Sequence, residues 1–190
     1  MVYCAARISG ADNPSGAVDQ DVYLKALHAS GAVDHIEYGN YVSRVKQAPL
    51  ATPDSKGRPV LTRSCPPVLI KDSSKMDVPD AIFMVSHARR EEKGSDVNVT
   101  AHLLVDVLDG EVEAALVICN YSELRLPLIE ARRRVPVGTV NPSRNFLAGA
   151  LKGSPTDGVG NHWWGKITAA DYRSHELPDP AVTYGELQGW

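Results

Sequence analysis

The chain predicts an α/β fold built on a mostly parallel sheet, and three observations carry that expectation. Apolar strand-like runs alternate with helical patterns along most of its 190 residues, and such alternation implies crossover connections between parallel strands. Asp96–Leu108 sets Val97, Ala101, Leu104, Val105 and Leu108 on one helical face. Ala114–Cys119 is an unbroken small or apolar run, read as a strand buried on both faces in the manner of parallel sheets.

In chain order, Val2–Ile8 alternates loosely and predicts a strand, and Ser9–Ser15 is a turn-rich loop. Ala17–Ala29 predicts a helix with a partial stripe of Val18, Val22, Leu24 and Leu27. Val33–Val45, rich in Val, Ile and Tyr, predicts a long strand. Gln47 to Pro79 is dense in Pro, Ser, Lys and Asp; it reads as an excursion from the sheet with one short strand at Pro67–Ile70. Ala81–Ala88 predicts a strand, Arg89–Gly94 a charged turn, and Ser95 or Asp96 the cap of the next helix. Pro127–Arg134 predicts a helix with Pro127 in its first turn, and Val135–Val140 a strand. Arg132, Arg133 and Arg134 fit the C-terminal end of that helix, where the macrodipole favours cations. The expected organisation is one domain over residues 1–142 and a C-terminal extension, 143–190. The extension carries a short helix near Thr168–Ser174 and packs through Trp163, Trp164, Tyr172 and Trp190.

A chain of 190 residues suffices for one domain with a real core. Its net charge of −3 excludes a globally basic nucleic-acid glove but permits local basic patches. The three cysteines, Cys4, Cys65 and Cys119, lie far apart and read as reduced thiols of a cytoplasmic protein. No apolar stretch is long enough to span a bilayer, so no membrane association is expected, and the start lacks the pattern of a secretory leader.

Ligand sites in open α/β sheets lie where strands end and helices begin. The Ala114–Cys119 strand ends on Asn120, Tyr121, Ser122 and Glu123, a polar cluster at such a place. Asp96 stands at a helix start, where it either caps the helix or serves a site. Asn120 either orients a ligand or closes the turn. The six histidines show no zinc-ligand spacing, and His102 reads as a structural or surface residue. Cys119 reads as an inert strand-end thiol. Gly10, Asp12, Asn13 and Gly16 read as a turn, because no phosphate-loop pattern is present.

KGSDVNVTAHLLVDVL (93–108), AALVICNYSELRLPL (114–128) and VPVGTVNP (135–142), in this order and spacing, resemble the NYN domain of the PIN-like nuclease superfamily. The opening VYCAARISG and the stretch VDHIEYGNYVSRVK are similar to the family's early strands, and HWWGKITAADYRSHELPDP to the tail of one bacterial subgroup. The resemblance implies a three-layer α/β/α sandwich with a mostly parallel, Rossmann-like sheet. It implies RNA as substrate and Mg²⁺ or Mn²⁺ held by acidic side chains. Asp96 and Glu123 match family acids and would bind the metal, with Ser122 and Asn120 holding water or phosphate. Lys93, Arg7, Arg125 and Arg144 would line the substrate groove, and Tyr121 would stack on a base.

Two departures accompany the resemblance. Tyr121 replaces one acid of the family's motif, and a phenol is a poor magnesium ligand. The chain also opens on what resembles the family's second strand. The first strand and its Asp are then missing, which predicts unpaired backbone on its neighbours and reads either as an N-terminal truncation or as a gap that another segment fills. These departures imply impaired or lost catalysis, and they give the alternative: a non-catalytic RNA-binding or protein-interaction domain, with homo-oligomerisation left open.

Overall fold

The computed structural model describes residues 1–63, 70–79, 81–178 and 183–184. The chain divides into two compact units, one of Met1–Tyr41 with Glu92–Trp190 and one of Val42–Glu91. The first unit opens with β1 (Val2–Arg7) and α1 (Pro14–Ala29). Helix α1 starts where Asn13 accepts from the Gly16 N–H at 3.1 Å and Pro14 takes the first helical position. It buries Leu24 and Ala26, whereas Val18 of the expected stripe is exposed.

Strand β2 (His35–Pro49) runs parallel to β1, with Val2 opposite His35 and Arg7 opposite Asn40. β3 (Ala51–Pro53) and β4 (Pro59–Leu61) form an antiparallel pair. β5 (Met84–Lys93) completes the sheet order β1-β2-β5. The run Arg89–Gly94 is therefore not a turn: the strand continues through Lys93. Charges are tolerated there because the strand is exposed along almost its whole length and its charges find partners, as Lys46 and Arg89 do on Glu91. The strand expected at Pro67–Ile70 lies almost wholly outside the described residues.

Helix α2 (Ser95–Leu108) follows at once, its start set by Gly94 at φ +99°, a left-handed conformation that glycine adopts without penalty. The buried face is Leu103 and Val107, with Val99 packed against the same core. Val97, Val105 and Leu108 point outward. The expected stripe is thus corrected: a helix bound on one side by β1 and on another by the next helix buries the residues between those contacts.

Strand β6 (Ala115–Ile118) leads through a single 3₁₀ turn (Ser122–Leu124) into α3 (Arg125–Arg132). Pro127 is buried in the first turn of α3. β7 (Val137–Asn141) pairs in parallel with β6, and β8 (Trp163–Lys166) in parallel with β7. α4 (Gly149–Lys152) and α5 (Ala169–Ser174) complete the elements. The core gathers Leu103, Val107, Val117, Cys119, Leu124, Leu128, Ala131, Val135, Val137 and Leu151.

β6 is not buried on both faces. Val117 is in the core, but Leu116 and Ile118 are 58% and 48% exposed. The molecule is a mixed α/β protein with parallel strand pairs, arranged as separate three-stranded sheets rather than one continuous sheet. Among the described strands, β1 pairs only with β2, and β6 only with β7.

Described residues after 142 are tied into this unit, while Trp190 lies outside the described residues. Arg132, 2% exposed, donates to the Leu151 carbonyl at 2.7 Å and to Thr139 Oγ1 at 3.3 Å. It does not join Arg133 and Arg134 at the surface, where both pair with Glu130. The Val137 N–H donates to His162 Nδ1 at 3.0 Å, which fixes that nitrogen as the acceptor. Tyr172 donates to the Pro142 carbonyl at 2.8 Å. Trp163 covers Gly138, where a Cβ would lie 2.7 Å from its Cε2.

Candidate functional site

A cavity of about 550 Å³ lies between β1 and β6. Tyr3–Ala6 form one wall, and Ile118–Tyr121 the other. Glu92, Ser95, Asp96 and Val99 contribute from the end of β5 and the first turns of α2, and Pro142, Ser143 and Asn145 from the loop after β7. Gln20 of α1 reaches across the end of β1, donating to the Ala6 carbonyl at 2.7 Å and accepting from the Ile8 N–H at 2.8 Å. It thereby supplies the backbone pairing that a neighbouring strand would give.

Gly39 sets the position of the α2 start. A Cβ there would run into the Lys93 carbonyl and lie 3.0 Å from the Ser95 nitrogen. The close passage of chain over Gly39 puts Asp96 at the cleft, on the second residue of α2.

The electrostatics are one-signed. Burial raises the Asp96 carboxyl above the usual aspartate range, and the nearby Glu92 and Glu123 carboxylates raise it further. Burial raises the Tyr121 phenol, and Asp96 and Glu92 add to the shift. Tyr3 is pushed up to about 12 by burial, then by Tyr23, with Glu92 contributing. Burial also raises the Cys119 thiol, whose sulfur accepts from the Tyr121 N–H at 3.3 Å. A buried, protonated thiol of this kind is a poor nucleophile.

Asp96 and Glu123 are therefore close enough to repel, although they come from a helix start and a turn 27 residues apart. Ser122 donates to Glu123 at 3.2 Å. Asn120 lines the cleft but is engaged by the chain itself. Its amide nitrogen donates to the Phe146 carbonyl at 3.1 Å, and its oxygen accepts from the Ala148 N–H at 2.8 Å. Of the two roles open to Asn120, the structure gives the loop-closing one.

The expected cationic wall is dispersed. Arg7 lies over the Tyr38 ring at 4.7 Å and pairs with Asp21. Arg125 opens α3, Arg144 lies in the loop after β7, and Lys93 ends β5; none of the four is among the cleft-lining residues. Tyr121, 58% exposed, does line it. Glu92 was not singled out from the sequence, because it sat inside a run assigned to a turn. Its position four residues before Asp96, at the junction of a strand and a helix, is the signal that identifies it.

Cys4 and Cys119 are free thiols; Cys65 lies outside the described residues. No helix among the described residues is long and apolar enough to cross a membrane. The chain matches no family model, no curated protein and no solved structure.

Proposed function

We propose that this protein binds RNA at the β1–β6 cleft and acts as a metal-dependent ribonuclease of the NYN type, with Mg²⁺ or Mn²⁺ held by Asp96 and Glu123 and joined by Glu92. The observation that carries the reading is the repulsion that Glu92 and Glu123 exert on Asp96, three acids from separate elements, of which Glu92 and Asp96 line the cleft. Hard divalent cations favour oxygen donors and relieve such repulsion. The donor set fits such an ion. The three acids do not form a tight cage, which suits magnesium, because that ion keeps several waters. When bound, the ion would neutralise phosphate charge and activate water. Asp96 and Glu123 fix its position, Ser122 orients Glu123, and Tyr121 offers a ring on which a base stacks.

This reading includes the finer architecture, a three-layer sandwich in which β1-β2 and β6-β7-β8 are parts of one mostly parallel sheet parted at the cleft. The strand order and the uncovered apolar face of β6 support it.

A second reading rests on Tyr121 standing where an acid would strengthen metal binding: a non-catalytic RNA-binding module on the same scaffold. Incubation of single-stranded RNA with the protein and increasing Mg²⁺ separates the two. The enzyme reading predicts cleavage that saturates in Mg²⁺ and is lost in Asp96→Asn. Salt-sensitive binding indifferent to Mg²⁺ and to Asp96, with no cleavage, supports the second reading.

A further inference from the structure

A second group of ligating side chains lies away from the cleft. His35 and Glu37 are two residues apart on β2 and so share one face of the strand. His102 of α2 meets them there. It lies six residues after Asp96, about 9 Å further along the helix axis. His35 Nε2 is 2.9 Å from Glu37 Oε2, and His102 Nε2 is 3.4 Å from the same oxygen. One ligand atom from each of the three lies within 4.8 Å of the others.

These separations lie close to those of a metal's coordination shell. Zinc binds imidazole nitrogen and carboxylate oxygen at about 2.0–2.2 Å in a tetrahedron, which sets neighbouring donor atoms about 3.3–3.5 Å apart. The His102 edge falls in that range, and the His35 edge, at hydrogen-bond distance, would open by about 0.5 Å around an ion. The imidazole rings are tilted by 57° with centroids 5.7 Å apart, so they are not stacked, and the Nε2 atoms of both face the same carboxylate oxygen. A glutamate carboxylate is ionised at neutral pH and available as a ligand. His35 is more than half exposed, which leaves a fourth position open to water.

We propose that His35, Glu37 and His102 form a Zn²⁺ site with water as fourth ligand, and that the ion clips β2 to α2. Two nitrogens and one carboxylate oxygen select zinc over magnesium, which prefers an all-oxygen shell. The site is independent of the acidic cleft, and its consequence is mechanical: it fastens the helix that carries Asp96 to the strand beneath it.

Zn²⁺ titration of the full chain, read by competition with a chromogenic chelator and by thermal melting, tests this. One saturable equivalent is expected, together with a higher melting temperature. Affinity should fall at least about tenfold in His102→Ala and in His35→Gln, as loss of a ligand does at minimum, and stay unchanged in Asp96→Asn. Should His102→Ala fail to fold by circular dichroism, the exposed His35→Gln carries the test alone. Absence of saturable binding, or equal affinity in wild type and His35→Gln, overturns the site. Zn²⁺ binding lost in Asp96→Asn but retained in His35→Gln also overturns it, by placing the ion in the cleft instead.

Discussion

Asp96 is where the account is most exposed to test at the scale of single residues. Its carboxyl is raised by burial and then by Glu92 and Glu123, so the folded state holds its proton more tightly than the unfolded chain does. That penalty is absent below the ordinary aspartate range and is complete once pH has risen through the raised folded value. Asp96→Asn should therefore raise the melting temperature at neutral pH in metal-free buffer. Because Asp96 is exposed, the gain belongs to the surface scale of about 0.5 kcal/mol, roughly 1–2 °C for a chain of this size. The difference should vanish as pH falls below the usual aspartate range, and a melt series from acid to neutral pH reads it. Tyr121→Asp makes the complementary prediction. Adding a fourth carboxylate to the rim should tighten divalent-cation binding, measurable by calorimetry; an unchanged affinity would place Tyr121 outside the site.

At the scale of elements, the strand–helix junction at Gly39, Lys93 and Ser95 places the acids. Gly39→Ala adds a methyl group where chain already passes, and overpacking of this kind costs about 1–3 kcal/mol. It should also weaken cation binding at Asp96 without touching a carboxylate, a pairing that chemical denaturation and a binding isotherm together detect. Arg132 has the corresponding role between α3, β7 and α4. Arg132→Leu leaves the Leu151 carbonyl without its donor inside the core, and losing a buried, charge-assisted hydrogen bond should destabilise by about 2–4 kcal/mol. Urea unfolding measures this, and a variant as stable as wild type would mean that the tail is not fastened there.

The elements most legible in the sequence were those whose local chemistry agrees with their surroundings. α2 declared itself by its period and β7 by its apolar run, and the short helix expected near Thr168–Ser174 is α5, which the structure closes with a capping box of Thr168 and Asp171. The buried face of α2 was not legible, because apolar residues occupy two of its stripes and only packing decides between them. β5 was cut short because a run of charges reads as a turn until ion pairs such as Lys46 with Glu91 accommodate it. β8 was hidden because its tryptophans read as packing residues, while its pairing depends on the distant β7. The resemblance singled out Asp96 and Glu123, which the structure brings near enough to interact, whereas Glu92 and the His35, Glu37 and His102 group needed the fold to bring them together.

Taken over the whole molecule, the cleft between β1 and β6 joins everything else. Within the larger unit it lies between the parallel pairs β1-β2 and β6-β7, is lined by Glu92 and Asp96 with Glu123 near enough to act on Asp96, and leaves Leu116 and Ile118 of β6 exposed. The central claim is that this rim holds a divalent cation. Mn²⁺ titration followed by electron paramagnetic resonance tests it most directly, carried out in a His102→Ala background so that imidazole binding does not intrude. The account predicts saturable binding that weakens by about tenfold or more when Asp96→Asn is added. Superimposable isotherms with and without Asp96 would contradict it.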